Sequence, residues 1–372
     1  MAVMMGRGLR ALAIAGMLLT TAFLPPRQET HNIHITQIDT SEFPRITVYV
    51  SVTDGSGEPL AIDPTQMALS ENGKAVQPEE VHPLGEADPL STLLVMDVSG
   101  SMNKADKLAG AKTAAATYVR QMQAGDRTGL LTFNTQVDLV QPLTTDHQAL
   151  LTAIDGIVAQ HDTAMYDALY QGVEILSNVS GRKAILVLTD GLDNRSQHTS
   201  SDVISRIGPS GLSISTIGLG DPSLAGVNQA GLDVGALRSL AGRAGGTYAY
   251  AADQSALTTI YARYSRALHS EYAFTYTTGA LLRDGVNRSL KVSLSSAASS
   301  SEVTATYNPG GLVPEVRQPN SWLLFFGLLA GLVLLLIAPG VLGRLFGAHQ
   351  GRPIPAQRIK LADTPKRRVR LR

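Results

Sequence analysis

Between residues 91 and 269 the chain alternates apolar strand patterns with helical ones, and no other feature restricts its fold so strongly. Strand patterns fall at 92–96, 129–133, 184–189, 213–219 and 247–250, with 137–140 as a hairpin neighbour of 129–133. Helical patterns fall at 104–123, 146–159, 164–178, 233–244 and 254–269. Such alternation predicts an α/β fold, a doubly wound and mostly parallel sheet with helices on both faces. In sheets of this kind ligands bind beyond the carboxyl ends of the strands.

The stretch that meets this condition is Val95-Met96-Asp97-Val98-Ser99-Gly100-Ser101-Met102, where the first apolar strand gives way to a helix. Asp97, Ser99 and Ser101 form a D-x-S-x-S pattern, one carboxylate and two hydroxyls at alternate positions on a tight loop. All three offer oxygen, the donor that hard divalent cations take. No strong base is adjacent, so neither serine reads as an activated nucleophile. The plainer reading is a set of helix caps, since Ser and Asp are common in that role.

D-x-S-x-S after a buried strand resembles the metal-ion-dependent adhesion site of von Willebrand factor type A (VWA) domains, Rossmann-like α/β units. That family completes the site with a threonine and an aspartate, and counterparts stand in the expected order. Thr163 lies in His161-Asp162-Thr163-Ala164-Met165-Tyr166-Asp167, which resembles the family's threonine loop. Asp190 follows the strand at 184–189 and precedes Gly191, matching the family's T-D-G. The resemblance covers residues 90–270 and implies one antiparallel edge strand. It implies a metal set of Asp97, Ser99, Ser101, Thr163 and Asp190, with the serines and sometimes Thr163 direct and the aspartates often acting through water. It implies Mg2+, with Mn2+ or Ca2+ as alternatives, and an open coordination position that a partner's carboxylate fills. The chain departs from the pattern at Asp162, where the family commonly has Gly; the extra carboxylate is expected to alter metal affinity. Asp193 and Asn194 read as a turn or as holders of water, and Asp106 and Lys107 as a solvated helix face.

Flanking segments carry strand patterns. Residues 46–52 alternate, as a half-buried strand does, and 67–70 with Glu71-Asn72-Gly73-Lys74 suggest a hairpin. Residues 33–84 are too few for a core of their own. The expectation is that they pair with strands in 271–308 to form one small β-sandwich into which the VWA domain is inserted; two separate β units are the alternative. Residues 1–26 hold Arg7, Arg10 and a fourteen-residue apolar run at 11–24, which suits a signal peptide or an N-terminal anchor. Residues 309–320 read as a linker. Within 321–343, residues 322–342 carry no charge and reach about 31 Å as a helix, enough to cross a hydrocarbon core. The tail 344–372 holds nine Lys/Arg and only Asp363, which marks it as cytoplasmic.

The net charge of zero conceals this sorting, because residues 26–318 hold 20 Lys/Arg against 30 Asp/Glu. An acidic body argues against nucleic acid as a partner. The chain has no cysteine, which excludes disulfides, thiolate metal sites and cysteine catalysis. No zinc spacing and no phosphate-binding loop is present, and no catalytic residue is predicted. The expectation is a non-enzymatic, single-pass membrane protein with an extracytoplasmic VWA domain, which binds a protein or peptide ligand with an acidic side chain. A scaffold or assembly subunit of a membrane or secretion complex is the alternative.

Overall fold

The computed structural model describes residues 31–83, 89–209, 211–220, 231–280, 282–295, 300–311 and 325–335. The expected leader at 1–26, the tail at 344–372 and all but three residues of the linker lie outside them. The chain divides into two units, Met1–Pro314 and Glu315–Arg372.

In chain order the first unit contains β1 (Asn32–Asp39), β2 (Arg45–Thr53), β3 (Met67–Glu71), β4 (Lys74–Val76), β5 (Glu80–His82) and β6 (Leu90–Asp97). Then follow α1 (Lys107–Arg120), β7 (Arg127–Phe133), β8 (Val137–Thr144), α2 (His147–Gly156), α3 (Met165–Ser177), β9 (Arg182–Thr189), α4 (Ser200–Arg206) and β10 (Ser213–Leu219). The last elements are α5 (Val234–Arg243), β11 (Tyr248–Ala251), α6 (Gln254–His269), β12 (Glu271–Thr277), β13 (Arg288–Ser295) and β14 (Ser300–Tyr307).

Six strands form the central mixed sheet in the order β11-β10-β9-β6-β7-β8, all parallel except the edge strand β8. β6 and β9 lie side by side at its centre and are buried at every residue, as strands covered on both faces must be. Successive side chains of β6 serve opposite layers. Leu94 and Met96 pack with Ala111, Ala115 and Tyr118 of α1 and Tyr261 of α6, whereas Leu93 and Val95 pack with Leu169 and Val173 of α3 and Leu237 of α5. The continuous apolar run that made β6 legible thus feeds two cores.

The flanking strands make two four-stranded sheets, β1-β2-β12-β5 and β14-β13-β3-β4. β12 pairs antiparallel with β2 and β5, and β13 pairs with β3, so segments on either side of the α/β layers share sheets. Ile46, Val48, Val50 and Val52 of β2 pack with Leu69, Phe274 and Val292 between them. One detail differs from the sequence reading. The other face of β2, expected to be solvated, is also buried: Tyr49, Ser51 and Thr53 are at most 7% exposed. The amino ends of the central strands cover it. Arg182 at the start of β9 lies over the Tyr49 ring and bonds Glu271 at the start of β12. The Gln37 side chain of β1 donates to Gly181 O and accepts from Lys183 N, at 3.0 and 2.9 Å. The small sheets therefore dock at the amino ends of the central strands, away from their carboxyl ends.

In the second unit, residues 325–335 are helical and expose Phe325, Phe326, Leu328, Leu332, Leu334 and Leu335. Among the described residues no helix is long and apolar enough to cross a membrane. The rest of the expected span at 321–343 lies outside them.

Candidate metal centre

Asp97 ends β6, and the neighbouring strand β9 ends opposite it at Thr189, so the two loops that follow share one crevice. Asp97 is fully buried. Its Oδ1 accepts from Ser99 N at 2.8 Å and its Oδ2 from Thr189 Oγ1 at 2.6 Å. The first bond closes a local turn that aims the loop; the second ties the ends of the two strands together. Burial pushes the Asp97 carboxyl up to about 6, against the bonds from Ser99 and Thr189, and the charge of Asp190 adds to the push.

Ser99 precedes a short 3-10 turn, Gly100–Asn103, but its side chain caps nothing. Instead its hydroxyl lies 3.0 Å from Ser101 Oγ, and Ser101 Oγ donates to Asp190 Oδ1 at 2.6 Å. A hydroxyl has one proton to give, so the chain runs from Ser99 to Ser101 to Asp190. The capping interpretation of Ser99 is not what the structure shows. Asp190 Oδ2 takes a second donor, Lys107 Nζ, at 2.7 Å.

Three backbone contacts bring the threonine loop to this cluster. Gly100 N donates to His161 O, Gln160 N to Val98 O and Ala164 N to Asn134 O, at 2.8, 2.7 and 2.7 Å. A Cβ on Gly100 would stand 3.3 Å from His161 O, a close approach that favours glycine. His161 sits at φ 67°, a left-handed conformation that costs a non-glycine residue about 1 kcal/mol. Thr163 is buried, and its Oγ1 lies 3.8 Å from where a Cβ on Gly191 would stand, against the residue after Asp190.

Two residues that read along the chain as a turn or as holders of water bond that loop and the start of α3 instead. Asn194 Oδ1 accepts from Thr163 N at 3.2 Å while Asn194 N donates to Thr163 O at 3.1 Å. Asp193 Oδ2 accepts from Tyr166 N at the start of α3, at 2.9 Å. Asp162 pairs with Arg195 at 2.6 Å, both about half exposed, so its charge is matched on the surface. Lys107, placed by the sequence on a solvated face, instead turns in to Asp190. Nothing local in the sequence signals these partners.

The structure thus gathers two buried carboxylates and the hydroxyls of Ser99 and Ser101, with Thr163 against the same loop. Among the described residues no group of three or more His, Asp or Glu side chains is arranged to hold a metal ion. The donor set is instead hydroxyl-rich, all oxygen and with two buried negative charges, which fits a small hard cation. Chemically such a set can bind and present an ion.

Residues 92–192 match the family model described as von Willebrand factor type A domain, a stretch that runs from β6 past Asp190. The match supports the VWA family for this domain. Among solved structures, one titled von Willebrand factor type A from Catenulispora acidiphila shares 13% identity, covering 77% of this chain and 76% of that one, with TM-score 0.43. BatB from Bacteroides thetaiotaomicron shares 19% over 49% of this chain and 100% of that one, with TM-score 0.41. PilB, a minor pilin from Streptococcus sanguinis, shares 14% over 65% and 78%, with TM-score 0.39. No curated protein matches the chain with significance.

Proposed function

We propose that the protein is a membrane-anchored binding module whose VWA domain holds a divalent cation, Mg2+ foremost, and uses it to capture an acidic side chain of a protein or peptide partner. The observation that carries this reading is the bonded oxygen cluster of Asp97, Ser99, Ser101 and Asp190 at the carboxyl ends of β6 and β9. Ser99, Ser101 and Thr163 would offer hydroxyl oxygens to the ion, and Asp97 and Asp190 the negative charge. A bound Mg2+ would supply a Lewis-acidic centre with a position open to a carboxylate. The chain's own task is orientation: Thr189 holds Asp97, and Asn194 holds Thr163. Anchoring is supported by the charge-free run at 322–342, the exposed apolar side chains of the helix at 325–335, and the basic tail. On this reading the VWA domain lies outside the cytoplasm and the basic tail inside it.

Capture of partners by full-length protein, in magnesium against chelator, tests the reading. Asp97→Ala, or Ser99→Ala with Ser101→Ala, should lose the magnesium-dependent partners and keep the fold. Magnesium should also raise the stability of the wild type, by about 2.7 kcal/mol at roughly a hundredfold excess over Kd, and leave the variants unmoved. Unchanged capture by Asp97→Ala would remove the ion from the mechanism and leave an assembly or scaffold subunit as the better description. Extraction of the full chain without detergent would rule out the anchor.

A further inference from the structure

Lys107 is the cation this site already contains. It opens α1, and its Nζ reaches Asp190 Oδ2 at 2.7 Å; its side chain is about three-quarters buried and that of Asp190 fully so. Among the described residues no other carboxylate lies within salt-bridge distance of Lys107. Gly220 lies beside the ammonium, since a Cβ there would stand 3.7 Å from Nζ. The backbone just before Lys107 is unusual. Ala105 and Asp106 lie at φ 51° and 53°, two successive non-glycine residues in the left-handed region. That conformation is disfavoured for both and persists only where its surroundings impose it. Here it turns the start of α1 so that its first side chain reaches the crevice.

The charges then decide what the site accepts. Asp97 and Asp190 bring two negative charges and Lys107 returns one of them. A divalent ion entering this set leaves it with one surplus positive charge, whereas without Lys107 it would be neutral. We propose that Lys107 sets the selectivity of the centre: its ammonium on Asp190 loosens the hold on the divalent ion and gives the loaded site a preference for an anionic partner group over a neutral one. This rests on the metal-binding reading above. A buried charge a few ångströms away acts strongly, because little solvent screens it.

Calorimetric titration of the full chain with Mg2+ alone tests this, using wild type, Lys107→Gln, Lys107→Met and the charge-keeping Lys107→Arg. The Gln and Met variants should bind Mg2+ roughly tenfold tighter than wild type, with a larger magnesium-dependent rise in Tm, and Arg should stay near wild type. Repeating the titrations in acetate against acetamide probes the partner group. Acetate should tighten Mg2+ binding to the wild type more than acetamide does, and the difference should shrink in the Gln and Met variants. Clear wild-type binding with no gain in the neutral variants, or an undiminished acetate effect, overturns the role of Lys107 alone. No Mg2+ heat in any of the four proteins overturns the metal reading and this proposal with it.

Discussion

Asp97, Ser99 and Ser101 are separated by single residues, and their pattern was visible because the chemistry is local. The residues that complete the crevice are remote. Lys107 meets Asp190 across 83 positions, Asn194 meets Thr163 across 31, and Asp193 meets Tyr166 across 27. Each is an ordinary polar residue in an ordinary turn or helix start when read along the chain. The same holds at the far end of the domain, where Asp126 bonds His269 Nε2 at 2.7 Å and accepts from Leu90 N and Gln123 N. Burial pushes its carboxyl up, but these bonds outweigh burial and hold it below the usual range. A carboxyl depressed by folding adds stability that is present above its unfolded pKa and lost as pH falls through the folded one. Acid titration of stability should therefore show a falling limb below about pH 4 that Asp126→Asn flattens. The substitution should cost about 2 kcal/mol at neutral pH. An unchanged acid limb in Asp126→Asn would show that this bond is not what acid breaks.

Among the elements, α5 and the turn after it show how differently two glycines act. Gly246 carries the chain from α5 into β11, passing so close to β10 that a Cβ would stand 2.1 Å from Ile214 O. That contact is with backbone, which cannot move aside as a side chain can. Gly246→Ala should destabilise the protein by about 1–3 kcal/mol. Gly242 lies inside α5 with nothing within 4 Å of its Cβ position, so Gly242→Ala should stabilise by about 0.5–1 kcal/mol. Urea denaturation of the two variants reads both signs, and equal effects would refute the packing argument. Read along the chain, Ala244-Gly245-Gly246 shows only that a helix ends. The alternation in β2 had a similar limit. It marked a strand, but a face of Thr, Tyr and Ser reads as solvated until Arg182 and Glu271 are seen to lie against it.

For the molecule as a whole, the joint between the small sheets and the central one is polar and buried. Arg182 and Glu271 are 5% and 4% exposed and bond each other at 2.9 Å, and Arg182 also donates to Leu268 O. Removing one partner of such a pair leaves an uncompensated buried charge. Arg182→Met should cost about 3–5 kcal/mol, and the double variant with Glu271→Met should cost less than the two single changes together. Additive costs in the double-mutant cycle would mean that the pair does not act as a unit. This joint sits at the amino end of β9, the opposite end of the sheet from Asp97 and Asp190.

By itself the sequence determined the α/β class, the strands and all helices but α4 of the central layers with their approximate limits, and the D-x-S-x-S loop; α4, β1, β5 and β12 were not individually legible. Those properties rest on hydrophobic periodicity and on contacts between near neighbours, which a linear reading contains. Only the tertiary structure decided that β12 pairs with β2 and β13 with β3, that the polar face of β2 is buried, and that Lys107 belongs to Asp190. Each of these depends on which surfaces meet after the chain has crossed the core, and a side chain's partner at that distance is set by packing of the whole domain rather than by its neighbours in sequence.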